Sequence, residues 1–131
     1  MALVQVKDAE GLVLDWMVAK CKGTPAVRMF ENSKGFRVYE NESMKMQGIN
    51  FAPSTNWSQG GPIIDREIGN LWKHNKLDPN EPDVWTAAAY RKAPDGTLLY
   101  YEDGPTPLIA AMRCYVSSVL GEEVEVPDEL L

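Results

Sequence analysis

The chain has 131 residues, of which 44% are apolar and 24% charged, with a formal net charge of −6 and a sequence pI near 4.8. These values predict a globular domain with its own core and exclude a disordered chain. The acidic balance also excludes a general attraction to duplex nucleic acid or to an anionic membrane, because both depend on dense Lys and Arg.

Cysteine and histidine are scarce. Cys21 and Cys114 lie in apolar, helix-like segments, so we interpret both as buried reduced thiols. There is no CxxC or HExxH motif and only one histidine, His74, so the sequence predicts no metal site and no cofactor. The first residues lack the apolar core of a signal peptide, and no apolar run reaches the ~20 residues that span a bilayer. We therefore expect a cytoplasmic protein.

The first predicted element is an amphipathic helix that begins at an Asp8 N-cap and ends at Gly23. Two short strands follow, at 27–30 and 36–39, because apolar residues there flank a turn-forming segment at 32–35.

The middle of the chain is less regular. Residues 41–61 show little periodicity and contain several Gly and Pro residues, which indicates a long loop. Pro62 is predicted to be the first residue of a helix. The segment 71–77 fits neither a helix nor a strand clearly, and 78–82 is a connector rich in Pro, Asp and Asn.

The last third carries the strongest local signals. Residues 84–90 and 98–101 predict a β-hairpin around the turn at 93–97. A helix then begins at a Thr106 N-cap, continues with a wide apolar face and ends at Gly121.

Together these elements predict an α+β fold, in which a small antiparallel sheet has two or three helices packed on it. Residues 1–131 are expected to form a single domain, with an acidic tail at about 122–131. The strand order does not follow from the pattern.

The predicted loop before Pro62 holds the leading candidate site. Two glycines ahead of a helix let backbone N–H groups approach an anion, and a Trp beside them can stack on a flat ring. The segment contains neither GxxxxGK[ST] nor GxGxxG, so it matches no standard phosphate-binding motif. The alternative is that the glycines form a tight turn and the Trp anchors the core. The candidate ligand-binding residues are Asn56, Trp57, Ser58, Gln59, Gly60 and Gly61.

Three further residues are candidates for the same ligand. Thr106 begins the last helix in a similar way, although ordinary capping also explains it. Arg113 either pairs with a carboxylate at the surface, which we favour, or lines a pocket for an anion. Arg66 has the same two interpretations. No catalytic residue is predicted, because His74 lies in a polar segment expected to be exposed and no nucleophile has an interpretable partner.

Four segments carry a resemblance to a known family: LDWMVAK at 14–20, NWSQGGPII at 56–64, GPTPLIAAMRCYV at 104–116 and GEEVEVP at 121–127. In combination they resemble the NinX family of lambdoid phages and prophages. The resemblance implies a small phage accessory protein in the bacterial cytoplasm, encoded among early functions that touch recombination and host interaction. It implies no chemistry, because family membership alone does not set function.

The leading functional hypothesis is a phage-encoded, non-enzymatic protein that captures a small polar ligand and sequesters a nucleotide-derived host defence signal. Trp57 would stack on the base, and Arg113 or Arg66 would bind phosphate. The alternative is a protein–protein modulator that inhibits or redirects a host enzyme, and the third hypothesis is a hydrolase acting on a nucleotide. We expect no duplex nucleic acid or membrane partner. A homo-oligomer would be compatible with a pocket at a subunit interface.

Overall fold

The computed structural model describes residues 1–23, 25–29 and 36–131. These residues confirm the α+β class. The helices are α1 (Gly11–Lys22), α2 (Glu42–Gln47), α3 (Trp57–Glu67) and α4 (Pro107–Leu120), with 3-10 turns at Val6–Asp8 and Asp128–Leu130. The strands are β1 (Ala2–Gln5), β2 (Ala26–Met29), β3 (Phe36–Tyr39), β4 (Asn70–Lys73), β5 (Trp85–Ala93), β6 (Gly96–Gly104) and β7 (Glu123–Val126).

Within the described ranges, the strands form three small antiparallel sheets, whereas a single sheet was predicted. β1 pairs with β7, β2 pairs with β3, and β5 is the middle strand between β4 and β6. In the three-stranded sheet, Trp72 lies opposite Thr86, which lies opposite Asp103. The register therefore places these three side chains in one row across the strands.

Helix α4 lies at the centre of the core, packed against α1, α3 and the sheet of β4, β5 and β6. All its residues from Ala110 to Ser117 are buried. Its predicted boundaries are confirmed: Thr106 is the N-cap, whose hydroxyl accepts the Ile109 N–H at 3.1 Å, and Gly121 follows the last residue.

The predicted hairpin is confirmed as β5 and β6, which extend beyond the predicted strands. Because side chains alternate along a strand, Tyr100 packs against the core under α4 while Tyr101 is 56% exposed on the opposite face. This opposite face, the outer sheet face, exposes large apolar side chains. They are Trp72, Tyr90, Leu99 and Tyr101.

The start of α1 differs from the prediction. The helix begins at Gly11 with Glu10 as its N-cap, so the predicted Asp8 cap is wrong. Asp8 instead ends a 3-10 turn that buries Val6 completely. Burial of this apolar side chain holds the chain in the tighter turn before the α-helix can begin.

The end of α1 and the first hairpin agree with the sequence. Gly23 follows the last helical residue as predicted. β2 and β3 confirm the strands predicted at 27–30 and 36–39, apart from Phe30, which lies outside the described residues together with the turn at 32–35.

The segment 41–61 is not one long loop. Helix α2 begins after Asn41, whose side chain accepts a backbone N–H in the first turn, and ends at Gly48 in the left-handed conformation. Helix α3 begins at Trp57, and Pro62, predicted to be its first residue, lies inside it. An Asn precedes both helices, and this capping signal is stronger than the Gly and Pro content that suggested a loop.

The acidic segment 122–131, predicted as a tail, forms strand β7 in the sheet with β1. Val124 and Val126 are 4% and 0% exposed and belong to the core, while Glu123 and Glu125, which alternate with them, face solvent. Strand β1 was not predicted, because its first three residues are all apolar and show no alternation. The ambiguous segment 71–77 contributes the end of β4.

Gly60 and Gly61 both lie inside α3, so they do not form the predicted open loop. The Gly60 N–H donates to the Asn56 carbonyl at 2.8 Å. A Cβ atom at Gly60 would overlap the Pro53 carbonyl oxygen and the Leu108 side chain, whereas one at Gly61 would meet nothing within 4 Å. The missing side chain of Gly60 therefore allows α3 to approach the first turn of α4.

The two glycines provide a matched pair of substitutions. We expect Gly60→Ala to lower the free energy of unfolding by about 1–3 kcal/mol, because the new methyl group meets a backbone oxygen that cannot move freely. Gly61→Ala should raise it by about 0.5–1 kcal/mol, because alanine is the better helix former in open space. Urea unfolding of both variants measures the two values, and the same sign for both would contradict the observed packing.

Candidate ligand-binding site

A cavity of about 560 Å³ opens between the Val6–Asp8 turn, the end of β6 and α4. Its volume falls within the roughly 300–1,000 Å³ typical of small-molecule sites. Four separate stretches of the chain form its wall, including the two residues that precede β5. The lining residues of this Arg113 cavity are Lys7, Asp83, Val84, Tyr101, Glu102, Asp103, Gly104, Pro105 and Arg113.

Arg113 is only 8% exposed. Its Nε donates to the Ala9 carbonyl at 2.8 Å and its Nη1 to the Asp103 carbonyl at 2.9 Å. Among the described residues, no ion pair joins it to a carboxylate. Burial lowers the pKa of the guanidinium, and the charges of four nearby carboxylates, those of Glu10, Glu102, Asp8 and Asp103, oppose this shift. The favoured prediction of a surface Arg paired with a carboxylate is therefore wrong, and Arg113 lines a pocket instead.

A hydrogen-bond chain that runs from His74, just after β4, through β5 to β6 fixes the side chain of Asp103. The Thr86 hydroxyl donates to Asp103 Oδ1 at 2.5 Å, and His74 Nε2 lies 2.5 Å from the same hydroxyl oxygen. Because a hydroxyl has only one proton, His74 Nε2 must carry the hydrogen in this arrangement. His74 is exposed, as predicted, but it also supports the wall of the cavity.

The other charges around the Arg113 cavity are partly compensated. Asp83 pairs with Lys76 at 2.8 Å and with Lys73 at 3.6 Å. The hydrogen bond from Lys76 and the charges of both lysines hold the pKa of Asp83 below its usual value. Burial raises the pKa of Glu102. Lys7 is an exposed cation at the rim.

Tyr101 supplies a flat apolar wall. Its ring centroid lies 6.4 Å from that of Trp72, with an angle of 81° between the planes, so the two rings meet edge to face. Tyr101 remains 56% exposed. A ring that is held by a neighbour and still accessible can stack on a planar ligand with little loss of side-chain freedom.

A second cavity, of about 250 Å³, lies between the first turns of α3 and α4. It brings together two of the predicted site residues, Trp57 and Thr106. Trp57 is 55% exposed, so the alternative that it anchors the core is wrong. The lining residues of this Trp57 cavity are Ser54, Thr55, Trp57, Thr106, Pro107, Leu108 and Ile109.

The other predicted residues of the 56–61 segment bond within the protein. Asn56 Oδ1 accepts the Ser58 N–H at 2.9 Å and the Ser58 hydroxyl at 2.6 Å. The side chain of Gln59 bonds two backbone groups of the preceding segment, at 2.6 and 2.8 Å. Gly60 and Gly61 are helical, so backbone N–H groups presented by a loop are not the basis of a site here. Ligand binding by these five residues stays a prediction.

Arg66 lies apart from both cavities. It is exposed, and its Nε bonds Glu67 Oε1 at 3.2 Å. The other Glu67 oxygen accepts a bond from Arg91 at 2.7 Å. The favoured interpretation of Arg66, a surface Arg paired with a carboxylate, is confirmed.

Sequence reasoning missed Ser54 and underestimated Asp15. Asp15 is 3% exposed on α1, and its Oδ1 accepts the Ser54 N–H at 2.9 Å. Burial raises the pKa of Asp15 to about 6, although interactions with Ser54 oppose the shift. The position of Asp15 between Leu14 and Trp16, in an apolar helix, was an available signal of a buried carboxylate.

Cys114 is buried, as predicted, whereas Cys21 is only half-buried. Cys21 and Cys114 are free, and burial raises the pKa of each to about 12. Within the ranges that the structure describes, no group of three His, Cys, Asp or Glu residues is placed to hold a metal ion. The same ranges contain no helix with the length and apolar character needed to cross a membrane.

Comparison with known proteins identifies the family. The family model described as bacteriophage P22 NinX matches residues 5–118, and the chain therefore belongs to the NinX family of phage proteins. The matched range contains every residue that lines the two cavities. No curated protein matches the chain.

We expect Asp15 to make stability depend on pH. Its folded-state pKa of about 6 exceeds the ordinary 3.8, so between these values the folded state holds a proton that the unfolded state has released. The free energy of unfolding should therefore fall by about 1–3 kcal/mol as pH rises from about 4 to 6.5, and stay level above that.

Asp15→Asn should remove this fall and keep an oxygen for the Ser54 N–H. The difference between the wild-type and variant unfolding energies, measured in urea at several pH values, isolates the Asp15 contribution. Asp65→Asn, at an exposed position of α3, is the matched control. Parallel wild-type and Asp15→Asn curves would contradict a desolvated carboxylate.

Proposed function

We propose that this NinX protein captures a small anionic ligand, a nucleotide derivative, in the Arg113 cavity and does not transform it. The observation that carries the proposal is a buried guanidinium that lines a ligand-sized cavity and has no carboxylate within ion-pair distance among the described residues. A charge removed from water is normally paired. A phosphate or carboxylate of a ligand would supply that pair.

The hydrogen-bonding capacity of Arg113 supports an anion. A guanidinium has five N–H donors, and two of them bind the Ala9 and Asp103 carbonyls, which leaves three for a ligand. Because these two bonds already fix the planar group, it can bind a phosphate through two parallel bonds without further ordering. Lys7, on the same cavity wall, adds a second positive charge.

The remaining lining residues fit the other parts of a nucleotide. The accessible ring of Tyr101 can stack on a base. The carboxylates of Glu102 and Asp103 can accept hydrogen bonds from sugar hydroxyls or from amino groups of a base. The hydrogen bond from Thr86 holds the Asp103 carboxylate in place before a ligand arrives.

Family membership provides the biological setting for the proposal. A phage protein that binds a nucleotide signal tightly in the host cytoplasm would lower the free concentration of that signal and so weaken host defence. Capture needs affinity and abundance but no chemical step, which agrees with the sparse catalytic inventory of the sequence. We also propose that two copies of the protein associate over the open Arg113 cavity. Light scattering, which measures the mass of the particle in solution, tests this association.

A thermal-shift screen against nucleotides, cyclic dinucleotides and ADP-ribose derivatives tests the proposal. A ligand at ~100 times its dissociation constant stabilises the folded state by about 2.7 kcal/mol. For a domain of this size, the melting temperature should rise by several degrees. No stabilisation by any member of these three classes would contradict nucleotide capture.

Substitutions then locate the site. We expect Lys7→Ala and Tyr101→Ala to weaken the ligand identified in the screen about 5- to 50-fold, by removing a charge and a stacking surface. Lys92→Ala and Tyr90→Ala are matched controls, because both side chains are exposed on β5 and neither lines the cavity. Isothermal titration measures the affinities. Equal losses in the controls, or no loss with Tyr101→Ala, would place the ligand elsewhere.

The outer sheet face favours a second candidate function, the binding of a host protein. Trp72, Tyr90, Leu99 and Tyr101 are each 42–56% exposed on one face of the sheet, and large aromatic residues are frequent anchors of protein interfaces. A pull-down from host lysate that returns one stoichiometric protein, and loses it with Trp72→Ala, would support this function. Hydrolysis of a nucleotide is the third proposal, and product formation during a long incubation tests it.

A further inference from the structure

Strand β6 forms an open edge of its sheet. It pairs with β5 on one side, and no strand in the described ranges pairs with it on the other. β6 has nine residues, whereas β4, the opposite edge strand of the sheet, has four. Residues 97–101 contain no charge, no proline and no bulge, which are features that normally protect an edge from pairing. This segment, the β6 edge, is therefore accessible to another strand.

The backbone groups that face outward on the β6 edge belong to its odd-numbered residues. The His74 N–H donates to the Val84 carbonyl at 2.9 Å, so the even-numbered residues of β5 bond toward β4. By the observed register, the odd-numbered residues of β5 then bond the even-numbered residues of β6. The odd-numbered residues of the β6 edge keep their N–H and C=O groups outward, without a partner in the described part of the chain. They are Thr97, Leu99 and Tyr101.

The side chains of the same residues suit pairing with another strand. Thr97, Leu99 and Tyr101 lie on the outer sheet face, because side chains two residues apart share a face. Leu99 is 43% and Tyr101 56% exposed, so both have apolar surface left to bury. Asp95 and Asp103 lie four residues to either side of Leu99. The uncharged segment is thus bounded at both ends by a carboxylate.

We propose that the β6 edges of two copies of this protein pair antiparallel about a two-fold axis at Leu99, which joins two three-stranded sheets into one sheet of six strands. In this register, Leu99 lies opposite Leu99 of the second copy, and Thr97 lies opposite Tyr101. Each of the three pairs exchanges two N–H···O bonds, about six in all. The apolar side chains of the two outer sheet faces also meet across the axis, as cross-strand pairs that stabilise antiparallel sheets.

A second copy fits this edge because the edge is symmetric about Leu99. The outward backbone groups, two residues to either side, meet their own counterparts when the strand is turned about the axis. The pairing uses both long edges and leaves only the short β4 edges, so the assembly closes as a dimer. Asp95 of one copy lies opposite Asp103 of the other, which limits the pairing to the segment between them. Added salt, which screens like charges, should therefore strengthen the association.

The inference rests on the proposed association of two copies and specifies the surface that they use. Tyr101 belongs both to the β6 edge and to the lining of the Arg113 cavity, so pairing brings the second copy to the rim of that cavity. The pairing itself requires no ligand, because main-chain groups form its hydrogen bonds.

Sedimentation velocity of the purified protein at increasing concentration tests the inference. The wild type should pass from monomer to dimer without larger species. We expect Leu99→Lys and Leu99→Glu each to weaken association at least about 10-fold, because like charges would face each other at the axis. An equimolar mixture of the two variants should restore a dimer, because opposite charges then face each other. Leu77→Lys, at a 99% exposed position before β5, is the matched control and should change nothing.

A monomer at every concentration, or a dimer that Leu99→Lys leaves intact, would overturn the inference. Failure of the mixed Lys and Glu variants to associate would overturn the axis at Leu99. Leu99→Pro is a second variant that should fold and not associate, because the N–H that it removes faces outward and makes no bond to β5. The thermal-shift screen is read separately: a nucleotide that stabilises a monomer would overturn this inference and leave ligand capture standing.

Discussion

The burial of helix α4 is the constraint on which the rest of this structure depends. Its residues from Ala110 to Ser117 are buried, because α1, α3 and a sheet enclose the helix. Polar groups on such a helix must find partners inside the protein. The Ser117 hydroxyl bonds the Cys114 carbonyl, and Arg113 bonds two carbonyls from elements on either side. Arg113 thereby joins the N-terminal turn and the end of β6 to the central helix.

The same constraint explains why the two cavities lie along α4. The Arg113 cavity opens where the middle of the helix meets β6, and the Trp57 cavity opens where its first turn meets α3. The Arg113 cavity adjoins a buried cation without an ion-pair partner in the described part of the chain. The Trp57 cavity is lined mainly by apolar side chains. A buried charge without a close partner is an exception in protein interiors, so its position beside open space is the physical argument for a ligand in the Arg113 cavity.

Predictions from the sequence were correct where the residues of a single short segment determine the local structure. The Thr106 cap, the end of α4 at Gly121 and the β5–β6 hairpin each depend on residues within a few positions of one another, and all three are observed. Prediction was wrong where two local signals conflicted. In α3, the Asn56 cap favours a helix, whereas two glycines and a proline disfavour one. The helix forms because the cap is supported by the packing of Gly60 against α4. Asp8 failed as a cap because burial of Val6 imposes a different turn.

The sequence by itself determined the α+β class, the ends of the clearest elements and, through four segments, the resemblance to the NinX family that the family comparison confirms. It also placed Trp57, Thr106 and Arg113 among the candidates, but as parts of one site. Only the tertiary structure separated them into two cavities and brought Lys7 and Asp103 to Arg113, and Asp15 to Ser54. The physical reason is distance along the chain. Caps and turns are interactions between near neighbours, whereas a pocket is formed by side chains that meet only when the core has closed.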